Sequence, residues 1–92
     1  MLFRSVSVSP APFRDNLDIR FSLDAASTVR VEVWDVSGRV VRTLGVGMMP
    51  AGPQQLTWDG RFADGRIAGT GLYLVRVQAG DRVLSAKVLR TH

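Results

Sequence analysis

Leu17-Asp18-Ile19-Arg20-Phe21-Ser22-Leu23 is the stretch that decides the fold class. Large apolar residues hold every odd position, and Asp18, Arg20 and Ser22 fill the even ones. On a helix such a pattern would scatter around the axis. On a strand it gathers into one greasy face and one wet face. The segment therefore reads as a half-buried antiparallel strand with Leu17, Ile19, Phe21 and Leu23 turned to the core.

The same period continues on both sides. Upstream, Val6 and Val8 alternate with Ser5, Ser7 and Ser9 until Pro10-Ala11-Pro12 stops the strand. Downstream, after a break at residues 24–27, Val29, Val31 and Val33 alternate with Arg30, Glu32 and Trp34. Asp35-Val36-Ser37-Gly38 has Asp first and Gly last, as a type I turn prefers. Arg39 to Leu44 then forms the second arm of a hairpin. Residues 45–53, rich in Gly and Pro, are expected to be a loop. Alternation resumes from Gln54 to Trp58, with Leu56 and Trp58 inward. Asp59-Gly60 and Asp64-Gly65 mark turns around a polar excursion. Leu72 to Val77 is a strong strand, Ala79-Gly80-Asp81 a tight turn, and Arg82 to Arg90 the returning strand with Leu84, Ala86 and Val88 inward.

No segment holds a helical period. Seven short strands separated by turns predict an all-β, immunoglobulin-like antiparallel sandwich of two sheets, with strands 3 and 4 and strands 6 and 7 as hairpins. At 92 residues, residues 1–92 are expected to form a single domain with one modest core.

Composition narrows the function classes. Without cysteine there is no disulfide, no thiol nucleophile and no cysteine-held metal. The formal charge is +4, from 12 basic residues of which Lys87 is the one lysine. These cations sit among acids, as in Asp18-Arg20, Arg30-Glu32 and Asp64-Arg66, and form no basic stripe. Mixed signs weaken the field that nucleic acid would need, so no nucleic-acid partner is expected. No stretch approaches the ~18 apolar residues of a membrane-spanning helix, and Met1-Leu2-Phe3-Arg4 opens no apolar run of secretory length. Such a chain is expected neither to export nor to anchor itself.

The chemistry is equally bare. The one histidine, His92, ends the sequence, where side chains tend to fray. No nucleophile–base–acid set can be assembled, so the chain is read as non-catalytic, with no cofactor and no metal. Asp59 and Asp64 lie five positions apart near glycines, but they lack calcium-loop spacing and stand beside Arg61 and Arg66. They read as turn-capping acids. The glycines at 45, 47, 69 and 71 precede no helix and so cradle no phosphate. Trp34 occupies the outward register, where it either covers a sheet face or offers a binding platform for a partner or a glycan. Met48 and Met49 either close one end of the sandwich or touch a partner.

Several motifs follow one another in a distinctive order. Ser9-Pro10-Ala11-Pro12-Phe13 precedes the alternating strand. Val31 to Val41 surrounds the Asp35–Gly38 turn, followed by Pro50-Ala51-Gly52, Leu56-Thr57-Trp58-Asp59-Gly60, Asp64-Gly65-Arg66, Gly69-Thr70-Gly71-Leu72-Tyr73 and Lys87-Val88-Leu89. Over residues 8–90 this series resembles the C-terminal sorting domain of the type IX secretion system, and equally the related immunoglobulin-like domain of flagellar hook-capping proteins. The sorting resemblance implies a domain at the end of a secreted bacterial cargo protein, carried through the periplasm to the cell surface or released. Its implied partners are the outer-membrane secretion machinery and a sortase-like peptidase. Carried over by position, the motif residues are Pro10, Pro12, Phe13, Asp35, Gly38, Gly71, Tyr73 and Lys87, with Ala11 where that family has Asn. The hook-capping resemblance implies a structural assembly domain instead. A third reading is an accessory module of a secreted hydrolase that binds glycan through Trp34 or Tyr73.

Overall fold

The computed structural model describes residues 3–92, and of Phe3 and Arg4 the backbone alone. Met1 and Leu2, part of the segment inspected for a secretory signal, lie outside the described residues. Seven strands follow in chain order: β1 (Phe3–Ser9), β2 (Leu17–Leu23), β3 (Ser27–Asp35), β4 (Val40–Met49), β5 (Gly52–Trp58), β6 (Gly71–Ala79) and β7 (Arg82–Arg90). They form a three-stranded sheet of order β1-β2-β5 and a four-stranded sheet of order β4-β3-β6-β7. All the strand pairings are antiparallel. The result is the expected immunoglobulin-like sandwich, with β3–β4 and β6–β7 as its hairpins.

Alternation produced the core as read. Leu17, Ile19, Phe21 and Leu23 of β2 face Val29, Val31 and Val33 of β3 and Val75 and Val77 of β6, all buried. Each of these side chains removed from water contributes about 1.5–3 kcal/mol. One end of the sandwich is closed by aromatic rings. Trp58 lies 5.4 Å from Phe13 and 5.3 Å from Tyr73, and Phe62 lies 6.3 Å from Tyr73 (centroid separations). The tilted and edge-on arrangement of these rings suits their quadrupoles.

Residues 45–53 depart from expectation. They are not a loop: β4 runs on to Met49, and β5 starts at Gly52. The reason lies in position. Both β4 and β5 are edge strands with a single neighbour each. An edge tolerates glycine and proline because little packing or ladder bonding is lost there. Residues 45–49 pair in unbroken register with Ser27–Val31 of β3, and the register shifts of this hairpin fall before them, at Leu44 and Val41. Met49 packs against the core, whereas Met48 is 69% exposed beside the Thr28 hydroxyl.

The excursion after β5 is held by its own acids. Asp59 accepts the Arg61 backbone N–H and the Arg42 guanidinium, at 3.0 and 2.9 Å. Asp64 likewise accepts the backbone N–H and the guanidinium of Arg66, at 3.0 and 2.7 Å. These are the capping turns expected of aspartate. Among the described residues no group of three or more His, Cys, Asp or Glu side chains could hold a metal ion. No helix among the described residues is long and apolar enough to cross a membrane.

Candidate interaction surface

Because side chains on β3 alternate, the valines that build the core send Trp34 to the opposite face of the larger sheet. There it stands beside Val40 on β4 and Leu74 on β6, its direct cross-strand neighbours. Leu74 in turn faces Lys87 on β7, and Leu72 faces Leu89. The Arg76 guanidinium lies 5.3 Å over the Trp34 ring, an arrangement that covers one ring face through cation–π attraction. The Trp34 indole N–H is shielded from water and has no hydrogen-bond partner.

The Asp35–Gly38 turn forms one wall of this surface. Asp35 is the hub: its carboxylate accepts the Ser37 backbone N–H at 2.9 Å, the Ser37 hydroxyl at 2.6 Å and the Arg39 N–H at 3.1 Å. The Arg39 guanidinium closes on it at 3.2 Å. Hydrogen bonding from the Ser37 hydroxyl, followed by the Arg39 backbone N–H, lowers the Asp35 pKa to about 2. Gly38 completes the turn at φ +88°, where a β-carbon would be strained. Val36 at the tip is 81% exposed.

Between turn and sheet lies a shallow hollow of about 370 Å³, whose lining includes Trp34, Val36, Leu72, Leu74 and Lys87. Its walls are mostly apolar, with Lys87 as the charged rim. Leu72 and Leu89 are 49% and 44% exposed. Aliphatic groups that open to water, grouped beside a half-covered tryptophan, are the usual makings of an interaction surface.

The motif residues separate into groups. Asp35, Gly38, Tyr73 and Lys87 all border this hollow, together with Trp34. Tyr73 nevertheless turns its ring inward: it is buried, and its hydroxyl donates to the Gly69 carbonyl at 2.9 Å. Burial raises its pKa. Tyr73 therefore offers no bare ring to a sugar, whereas Trp34 lines the hollow with Arg76 over one face of its ring. Gly71 starts β6 opposite Arg90, at φ +143°. Phe13 is a core residue that also staples the chain, donating its N–H to the Leu89 carbonyl at 3.0 Å and accepting the Thr91 N–H at 2.9 Å. Pro10 and Pro12 are exposed and stand apart from the hollow.

Two features were not visible in the residue pattern. Leu72 and Leu89 read as ordinary strand residues, and only cross-strand pairing shows that they form an outward apolar pair. Gly60 read as a turn glycine, yet it is buried, and a β-carbon on it would lie 3.1 Å from the Asp15 carbonyl oxygen. The expected pairing of charges is seen in Arg20–Asp18, Arg30–Glu32 and Arg66–Asp64.

Comparison with known proteins supplies a context for this surface. Residues 13–82 match the family model of the FlgD Ig-like domain. The basal-body rod modification protein FlgD of Escherichia coli K12 is 40% identical over 57 residues, covering 62% of this chain and 25% of that protein. The chain thus spans about a quarter of the length of the curated relatives it matches. Among solved structures, dimeric latent PorU from Porphyromonas gingivalis superposes with a TM-score of 0.79 at 23% identity, over 94% of this chain and 9% of that one. FlgD from Xanthomonas campestris, described in terms of hook capping essential for flagellar assembly, superposes with a TM-score of 0.63 at 22% identity, over 96% of this chain and 63% of that one. At such identities the superpositions speak for the fold alone. The family match extends from the buried Phe13 to the first residue of β7, well over half of the sequence, and on that ground the chain belongs to the FlgD Ig-like domain family.

Proposed function

We propose that this chain serves as the immunoglobulin-like assembly module of a hook-capping type of protein: a non-catalytic sandwich that holds its parent in contact with other protein subunits. The observation that carries this reading is the family match over residues 13–82, with 40% identity to the Escherichia coli relative. The outer face of the larger sheet is compatible with it. A module of this kind needs a stiff body and a surface with exposed aliphatic groups, and uses no reactive centre.

The type IX sorting role, which the motif order placed first, has weaker support. Its solved neighbour PorU is 23% identical, a level that bears on fold only. Passage through the periplasm, binding by outer-membrane machinery and peptidase cleavage stand or fall with that role.

A domain exchange tests the proposal. The corresponding region of Escherichia coli FlgD is replaced by the full chain, residues 1–92, so that all seven strands are kept, in a strain lacking its own FlgD. Restored hooks and swimming are expected. A chimera that accumulates and is exported, yet builds no hooks, overturns the reading. In a second arm, residues 1–92 follow a signal peptide and a fluorescent reporter in a type IX-competent bacterium. Retention of the reporter in the periplasm is expected, and its display on the surface would return the sorting role to first place.

A further inference from the structure

An edge strand ends in unpaired N–H and C=O groups, so edges determine what a sandwich can accept from another chain. Four strands lie on edges here: β1 and β5 in the smaller sheet, β4 and β7 in the larger. Register shifts interrupt β1 and β4 against their neighbours, and β5 carries Pro53. β7 pairs with β6 without interruption from Arg82 to Arg90. It is the one regular, proline-free edge among the described residues.

Phe13 shows which of its backbone groups point outward. The Leu89 carbonyl accepts from Phe13 and the Thr91 N–H donates to it, so residues 89 and 91 face away from β6. Backbone groups alternate sides along an antiparallel strand. The outward set therefore continues through Lys87, Ser85 and Val83. Among the described residues none of these three makes a backbone bond on that side, and all three are exposed.

Charge says what fits the edge. β7 carries Arg82, Lys87 and Arg90 and no acid, and Arg76 stands on the strand beside it. None of these four cations takes part in an ion pair among the described residues. Two copies of β7 laid side by side would bring like charges together, which is destabilising. The same charges favour a strand of opposite sign. The side chains flanking the edge alternate between the exposed Val83 and Leu89 on the outer face and the half-buried Leu84 and Ala86 on the inner one.

We infer that the β7 edge receives an extended segment of a partner protein in which acidic residues alternate with apolar ones. The segment would add a strand to the larger sheet by bonding to the backbone of Val83, Ser85 and Lys87, with its acids on the outer face against Lys87 and its apolar residues on the inner face beside Leu84 and Ala86. Strand addition of this kind takes affinity from the backbone and selectivity from alternate side chains. The inference deepens the assembly reading and rests on it for the partner being a protein. Binding measured in solution separates the two, because hooks could still form through another face if the edge proves inert.

The test uses the full chain with two fluorescein-labelled octapeptides, one alternating valine and glutamate, the other valine and lysine. Fluorescence anisotropy should show the glutamate peptide binding at least about tenfold more tightly, with the preference fading as salt rises. Amide NMR signals of Val83, Ser85 and Lys87 should shift and exchange more slowly. Ser85→Pro removes an outward N–H while sparing the β6 ladder, and should abolish binding with the thermal melt retained. Lys87→Glu should reverse the peptide preference. Should Ser85→Pro fail to fold, a glutamate peptide N-methylated on alternate residues asks the same question from the other side, and its loss of binding is expected. Equal binding of the two peptides, no binding, or perturbations confined to β4 or β5 would overturn the inference. So would a concentration-dependent dimer lost in Ser85→Pro, which would assign the edge to a second copy of the chain.

Discussion

Trp58 and Trp34 are each followed by an aspartate that caps a turn, yet they belong to opposite regions of the molecule. Asp59 accepts the backbone N–H of Arg61 at 3.0 Å, and Asp35 accepts that of Ser37 at 2.9 Å. The local chemistry is thus the same. The surroundings are not. Trp58 is wholly buried among Phe13 and Tyr73, and its indole N–H donates to the Arg61 carbonyl at 2.8 Å. Trp34 is half-buried on the outer face, under Arg76, with its indole N–H unpartnered. A shift of one residue in strand register separates a side chain that builds the fold from one that builds a surface. The inner region should therefore hold most of the stability, and the outer region should tolerate change.

The most severe way to break that contrast is to put a charge in the inner region. Ile19→Asp would bury a carboxylate among apolar neighbours, a cost comparable to the total stability of about 5–15 kcal/mol typical of small domains. No cooperative thermal transition is expected. Arg20→Asp, one position along on the exposed face, should melt close to wild type. Similar melts for the two variants would mean that β2 is read in the wrong register. Next in size is Trp58→Ala, which removes the centre of the aromatic end and should cost about 3–5 kcal/mol in urea denaturation.

These inner positions were legible in the sequence because burial in a sandwich writes itself as a period of two. Leu17 to Leu23, Val29 to Val33 and Trp58 all occupy the faces that alternation assigns. The pattern failed in two of the four edge strands, β4 and β5. Gly45, Gly47 and Pro53 belong to edge strands, and the packing constraint that writes alternation into a central strand is absent there. The outer surface was only partly legible. The outward register of Trp34 follows from the valines beside it, and the Asp35–Gly38 turn from its residue types. That Lys87 and Leu74 are direct neighbours, and Leu72 and Leu89 likewise, depends on β6–β7 register, which no local pattern records. Nor could the sequence show that Arg76 lies over Trp34, or that Tyr73 turns its hydroxyl to Gly69.

Gly60 sharpens the contrast from the turn side. It sits at φ +75°, and a β-carbon there would lie 3.1 Å from the Asp15 backbone oxygen. Both the dihedral and the contact penalise Gly60→Ala, which should cost about 1–3 kcal/mol. Gly65 has φ +90° but open space around it, so Gly65→Ala carries the dihedral penalty alone and should cost less. Equal losses, measured by urea denaturation, would show that the Asp15 contact relaxes freely and that this end of the sandwich is softer than its packing implies.

On the outer face, Trp34→Ala removes a half-buried ring and its contact with Arg76. About 1 kcal/mol is expected, mostly cation–π attraction and partial burial. A loss matching that of Trp58→Ala would erase the distinction between the two regions and make the outer face part of the core.

The smallest effect is electrostatic and lies in the turn beside Trp34. The Asp35 pKa in the folded chain is held near 2, against an ordinary value of 3.8, first by the Ser37 hydroxyl and then by the Arg39 N–H. A carboxylate with a depressed folded pKa stabilises the fold when ionised. Its contribution is complete above the unfolded value and is lost as pH falls through the folded one. Asp35→Asn keeps the shape and an oxygen acceptor but discards the charge. The melting temperature of wild type should therefore exceed that of the variant by a constant amount above about pH 4, and the gap should close toward pH 2. Because its partner Arg39 is solvent-exposed, added salt should narrow the gap further. A gap that persists at pH 2 would show that the amide fails in the turn geometrically, so that the shape of the Asp35 hub, and not its charge, holds the wall of the hollow.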